Sequence, residues 1–123
     1  MKVFFTMLAV LAGSISVAQK TKWKEMEQFH TVISQTFHPA EHNKLQPTRD
    51  QAPLLLNLAK QWQQAAIPEN FNAVKTKRTL AKLVKACNLL SASVASNKTD
   101  AVLKKQIYTV HELFHEIAEK CSH

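Results

Sequence analysis

The 123-residue chain contains a single glycine, Gly13, together with four prolines and two cysteines. Gly13 lies in an N-terminal segment that has the features of a signal peptide, so the rest of the chain has no glycine at all. Tight β-hairpin turns depend on glycine, and its absence argues against a sheet. The remaining sequence is rich in Ala, Leu, Lys and Gln, which favour helix. We therefore expect an all-α fold.

Residues 1–18 have the three parts of a signal peptide. Lys2 supplies positive charge, the run VFFTMLAVLA is apolar, and Ser16-Val17-Ala18 is a small-residue cleavage site. The apolar run is too short for a stable transmembrane helix, so no membrane span is predicted. We expect residues 19–123 to form one folded domain in a periplasmic or secreted protein.

The chain carries sixteen Lys and Arg residues against nine Asp and Glu, a net charge of +7. The lysines are spread along predicted helix faces, and the aromatic residues are spaced for a core rather than interleaved with them. This pattern indicates a solvated surface and argues against nucleic-acid binding. The sequence identifies no protein partner or oligomeric state.

The first predicted helix covers about residues 22–36. Its apolar stripe alternates spacings of three and four, which is typical of one buried face, and places a histidine at the centre. The stripe comprises Trp23, Met26, His30, Ile33 and Phe37. The connection FHPAEHNKLQP follows, in which His38-Pro39 could open a short turn.

Three further helices are predicted by the same spacing. The second starts at a capping-box sequence beginning with Thr48, the third covers about residues 69–95, and the fourth follows the turn SNKTD. The fourth helix has the most regular stripe: Leu103, Ile107, Val110, Phe114, Ile117 and Cys121. Short connections between four amphipathic helices predict an up-down-up-down four-helix bundle, with the first and last helices as antiparallel neighbours.

The two cysteines are too far apart in this arrangement to form a disulfide. If the third and fourth helices pair around their turn, Cys87 lies level with about residue 108, which leaves Cys121 ~20 Å further along the axis. That separation exceeds the reach of a disulfide. We expect Cys87 and Cys121 to be unbonded.

All six histidines lie in two blocks, near the two ends of the mature chain. Antiparallel packing of the first and last helices places His30 opposite residue 114, within a turn of His111 and His115. Imidazoles that converge in this way are typical ligands of Zn²⁺ or Cu²⁺. The sequence therefore predicts an exported transition-metal-binding protein with a site formed by His30, His38, His111 and His115. Whether Glu41, His42, Cys121 or His123 completes the site stays open.

The segment HELFH, residues 111–115, also matches the H-E-x-x-H motif of zinc proteases. A protease needs a third ligand, an open coordination position and a cleft for an extended peptide. A small helical bundle has no sheet edge to hold that peptide, and Glu112 is rotated by about 100° from His111. We expect a protein that is not an enzyme.

Two stretches resemble the soluble periplasmic b-type cytochromes, which are small exported four-helix bundles. In KEMEQ, Met26 lies near the start of the first helix, and in TVHELFH, His115 lies near the end of the last. The resemblance implies haem b held between Met26 and His115, and electron transfer as an alternative function. The segment KCSH does not supply the C-x-x-C-H motif of covalent variants, and His30 and His111 would crowd a haem face. These departures favour a directly bound ion.

Overall fold

In a computed structural model, residues 23–122 form four α-helices and a short π-helix. The helices are α1 (Lys24–Glu41), α2 (Gln46–Gln64), α3 (Ala73–Ala95) and α4 (Asp100–His115), and the π-helix Glu116–Lys120 continues α4. Within this range the chain forms no strand, only an isolated bridge between Phe71 and Ser122. The predicted all-α fold is confirmed here. The predicted signal peptide, residues 1–18, lies outside the described residues.

The helices pack as a ring in which each contacts the next and α1 contacts α4. Contacts at the two ends of the bundle give the helix directions. The Lys104 ammonium donates to the Asn43 side-chain oxygen at 2.8 Å, which places the start of α4 beside the end of α1. At the other end, the Asn72 amide donates to the Cys121 carbonyl at 2.7 Å. The helices therefore alternate in direction, as predicted, and none of those in residues 23–122 could span a bilayer.

Asparagine takes the place of glycine at the two tight turns. Asn43 after α1 and Asn97 after α3 have φ angles of 61° and 56°, in the left-handed region that asparagine tolerates better than most residues. At Asn97 the amide of Lys98 donates to the Ser93 carbonyl and the amide of Asn97 to the Val94 carbonyl. This is a Schellman motif, which satisfies the last carbonyls of α3 without glycine.

The observed helix ends differ from those predicted. Helix α1 continues through Pro39 to Glu41 instead of ending near Thr36, so the expected separate turn at His38-Pro39 is wrong. Helix α2 begins at Gln46, with Pro47 in its first turn, and Thr48 is buried there without capping the helix. Helix α3 starts later than predicted, where the Asn72 side chain accepts a hydrogen bond from the Lys75 amide. Proline at the first turn and asparagine at the cap explain these starts.

The core is continuous along the bundle axis. Every residue of the predicted α4 stripe is buried, together with the aromatic rings of Trp23, Phe29, Trp62 and Phe71. Trp23 packs against Trp62 with ring centroids 5.6 Å apart, and Phe29 lies 5.6 Å from Trp62 and 6.0 Å from Phe114. These large side chains join α1, α2 and α4, and burial of each contributes roughly 1.5–3 kcal/mol.

Both cysteines are free and buried, which confirms the prediction that they are not bonded to each other. Burial raises the pKa of the Cys87 thiol to about 12, because the core cannot solvate a thiolate. The Cys121 sulfur lies 3.9 Å from the Thr79 hydroxyl oxygen on α3.

Candidate functional site: a histidine surface

Four of the histidines lie together on the outer face formed by α1 and α4. We call this face the histidine surface and define it by His30, His38 and Glu41 of α1, His111 and His115 of α4, and Glu119 of the π-helix. His111 and His115 are half-buried, and the α1 members are exposed.

A chain of hydrogen bonds runs along α4 and the π-helix. Nε2 of His111 lies 3.2 Å from Nε2 of His115, and Nδ1 of His115 lies 2.7 Å from a carboxylate oxygen of Glu119. The carboxylate can only accept, so His115 donates through Nδ1–H. One hydrogen then lies between the two facing Nε2 atoms. The hydrogen bond between the rings requires that one Nε2 atom is protonated and the other is not. If both Nε2 atoms were protonated, two N–H groups would point at each other.

Aromatic rings support two of the imidazoles. The His111 ring is nearly parallel to Phe37, with centroids 3.6 Å apart, and the His30 ring is nearly parallel to the core residue Phe114 at 5.1 Å. Each stack joins the two helices: Phe37 of α1 packs on His111 of α4, and His30 of α1 packs on Phe114 of α4. They fix the plane of each imidazole.

The pKa of His111 is lowered from its ordinary value of 6.5. Burial is the largest cause, because the imidazolium form loses hydration, and the neighbouring His115 acts in the same direction. His38 and His30 also lower this pKa, whereas the Glu41 carboxylate opposes the shift. Side chains of α1 therefore contribute to the pKa of an imidazole on α4.

A groove of about 460 Å³ runs beside the imidazole pair, and half of its lining residues are acidic. His111 and His115 line one part of the groove, and the other lining residues are Glu112, Glu116, Glu119 and Lys120. On α1, Nδ1 of His38 lies 3.3 Å from a carboxylate oxygen of Glu41.

The predicted transition-metal site is wrong. Within residues 23–122, no group of three or more His, Cys, Asp or Glu side chains is arranged to hold a metal ion. The donors are paired with each other instead: His115 with Glu119 and His111, and His38 with Glu41. The sequence brings the imidazoles to one face, but their lone pairs and hydrogens do not converge on one point.

The predicted position of His30 along the bundle axis is correct, but the prediction that it faces the core is wrong. As expected, His30 lies opposite residue 114, where its ring stacks on Phe114. It is nevertheless exposed, and the neighbouring Phe29 is the fully buried residue of that turn. Phenylalanine gains more free energy than histidine from burial, so the buried stripe of α1 includes Phe29 and leaves His30 outside it, although Trp23, Ile33 and Phe37 are buried as predicted.

The remaining predicted participants lie apart from the imidazole chain or outside the described residues. Exposed His42 is the C-cap of α1, and Cys121 is buried in the core. His123 falls outside the described range. Met26, the predicted haem ligand on α1, is half-buried and packs against the core. Both ring nitrogens of His115 are in hydrogen-bonding contacts, so an axial bond to haem iron would require His115 to give up its contact with His111.

The sequence did not indicate Glu119, Phe37 or Phe114 as members of this site. The spacing from His115 to Glu119 is four residues, which puts the two side chains on one helical face and was a usable signal. Phe37 and Phe114 were assigned to the core only. Comparison with protein-family models, curated proteins and solved structures gives no match to the chain.

Proposed function

We propose that the protein is a non-catalytic, exported binding module whose affinity for its partner is controlled by pH through the histidine surface. The observation that carries this proposal is the hydrogen-bonded chain from Glu119 through His115 to His111. It holds one proton between two rings that water can reach. Imidazole is the side chain whose charge ordinarily changes near pH 6.5, so this surface responds to mild acidification.

The surface charge depends on the imidazoles. The charged side chains that line the groove or pair with His38 are four carboxylates and one ammonium, from Glu41, Glu112, Glu116, Glu119 and Lys120. With the four imidazoles neutral the formal charge is −3, and with His111 neutral and the other three charged it is 0. A partner that carries carboxylate or phosphate groups is repelled in the first state and is no longer repelled in the second. We infer that such a partner binds more tightly in acid.

Binding is favoured over catalysis by the surroundings of the imidazole pair. An imidazole oriented by a carboxylate can act as a general base, but it then needs a nucleophile or substrate proton within hydrogen-bond reach. Cys87 and Cys121, the strongest nucleophiles of the described chain, are both buried in the core. A solvent-facing charge that changes with pH is better suited to a docking surface.

An oligo-aspartate peptide is a suitable probe, because its carboxylates stay ionised when imidazole is charged. Amide chemical shifts of the full chain are followed by NMR as the peptide is added at about pH 7.5 and again at about pH 5.5. We expect shifts in α1, α4 and the π-helix at the lower pH, and much smaller ones at the higher pH. Equal shifts at both pH values on this face would contradict the proposal.

A double variant and a control variant distinguish the contribution of the imidazole pair from that of the net charge of the protein. The double variant His111→Gln/His115→Gln keeps only His30 and His38, so the formal charge cannot rise above −1 and the peptide should stay repelled from the α1–α4 face at the lower pH. The matched control His42→Gln changes an exposed histidine outside the hydrogen-bonded chain and should keep the pH dependence. Loss of pH dependence in the control would assign the effect to net charge rather than to the imidazole pair.

A further inference from the structure

A second charged surface lies on α3, diagonally across the bundle from α1. Helix α3 contains five basic residues and no acidic one, whereas α1 has more acidic than basic residues when its histidines are neutral. All five basic side chains are exposed: Lys75, Lys77, Arg78, Lys82 and Lys85. Among the described residues, none of the ion pairs includes any of them. The excess positive charge of the protein is thus concentrated on one helix.

The helical repeat gathers part of this charge into a ridge. At about 100° per residue, five exposed side chains of α3 fall within an arc of about 80° on the side opposite the core. We call them the basic ridge: Val74, Arg78, Lys82, Lys85 and Leu89. Lys75 lies to one side, where its ammonium donates to the Lys120 carbonyl at 3.0 Å.

Exposed apolar side chains stand at both ends of the basic ridge. Val74 is 68% exposed and Leu89 is 57% exposed, which makes them the two most exposed large hydrophobic residues of the described chain. They are separated by about 22 Å along the helix. Arg78, Lys82 and Lys85 lie between them. A flat, negatively charged surface with an apolar layer beneath it matches both features at once.

We propose that the basic ridge of α3 docks the protein peripherally on an anionic phospholipid surface. Arg78, Lys82 and Lys85 contact the lipid phosphates, and Val74 and Leu89 enter the boundary between headgroups and acyl chains. The ridge is convex, so it offers no groove for a peptide. It contains no aromatic side chain on which a nucleobase could stack. Lipid phosphates are therefore the anionic groups that fit it best.

Co-sedimentation with vesicles tests this proposal. The full chain is mixed with vesicles of phosphatidylcholine alone or of phosphatidylcholine with phosphatidylglycerol, so that the first sample measures apolar adsorption, including any by residues 1–22. We expect binding to be much stronger with phosphatidylglycerol and to weaken as salt is raised, because salt screens exposed charges. Equal binding to both vesicles would overturn the proposal.

The variant Arg78→Gln/Lys82→Gln/Lys85→Gln removes three ridge charges. Since each basic side chain contributes about fivefold in affinity near an anionic membrane, the loss should be on the order of 100-fold. The control Lys24→Gln/Lys60→Gln/Lys105→Gln removes the same charge from exposed positions on the other three helices. It should retain most of the binding. Equal losses in the two variants would show a response to net charge and would overturn the assignment to α3.

The variant Val74→Ser/Leu89→Ser tests the apolar contacts and leaves the charge unchanged. It should bind several-fold more weakly while the salt dependence stays the same. Unchanged binding would refute insertion of these side chains. The His111→Gln/His115→Gln variant should still bind phosphatidylglycerol vesicles. The proposal of lipid docking is therefore tested independently of the proposal of pH control by the histidine surface.

Discussion

The buried thiol of Cys87 allows the packing of α3 to be tested by chemical reactivity. The perturbation is alkylation with iodoacetamide at about pH 8, in a Cys121→Ser background so that Cys87 is the single reporter. Its side chain is completely buried, and burial raises its pKa to about 12. The thiolate is the reacting species, so the pKa sets the rate even before steric protection is considered.

The expected size of the effect follows from the two ionisation states. In the unfolded chain, with a thiol pKa of ~8.5, about a quarter of the molecules carry a thiolate at pH 8. In the folded protein a pKa of about 12 leaves roughly one thiolate in ten thousand. Transient unfolding sets a similar limit, because a stability of ~5 kcal/mol leaves about one molecule in 5,000 unfolded.

Alkylation of the folded protein should therefore be at least about a thousandfold slower than that of the chain in denaturant. Mass spectrometry of timed samples measures both rates, and the rate in denaturant is the internal control. A folded-state rate within tenfold of the unfolded rate would refute the burial of Cys87, and with it the packing of α3 against the rest of the core.

Three other substitutions test the turns, the core and the histidine surface. Asn97→Ala should lower the free energy of unfolding by about 1–2 kcal/mol in a urea titration, because alanine resists the left-handed conformation found there; an unchanged midpoint would contradict the turn geometry. Phe114→Ala should cost roughly 3–5 kcal/mol through a core cavity, and a cost below about 1 kcal/mol would contradict the aromatic packing. Folding lowers the pKa of His111, so the unfolded chain binds this proton more tightly than the folded protein does. Above pH 6.5 the ring is neutral in both states and has no effect on the pH dependence of stability. As pH falls below 6.5, the free energy of unfolding decreases until the lowered pKa is passed. His111→Gln should therefore make the free energy of unfolding, measured by urea titration, fall less steeply as pH decreases below about 6.5. An equally steep fall in the variant would refute this contribution.

Much of the fold could be predicted because apolar periodicity identifies the buried face of a helix clearly when every core position is apolar. Helix α4 has aliphatic and aromatic residues at every core position, and all are buried as expected. Helix α1 offered two overlapping stripes, one through Met26 and His30 and one through Phe29. The spacing alone could not choose between them, whereas the larger transfer free energy of phenylalanine could have done so.

The level of the histidines was predictable, but their chemistry was not. Antiparallel packing places His30 beside Phe114, as the register of the two helices requires. What the imidazoles contact depends on ring orientation, which is set by stacking on Phe37 and by Glu119 one turn beyond His115. Glu119 and His111 occupy both ring nitrogens of His115. Sequence clustering of histidines could not distinguish mutual pairing from convergence on an ion.

The proposed function depends most directly on the contact between His111 and His115. NMR of the His111 ring nitrogens across the range from about pH 8 to pH 4, in the parent protein and in His115→Gln, measures the effect of one ring on the other. Because His115 lowers the pKa of His111, the substitution should raise that pKa. A His111 pKa that does not change when His115 is replaced would contradict the contact.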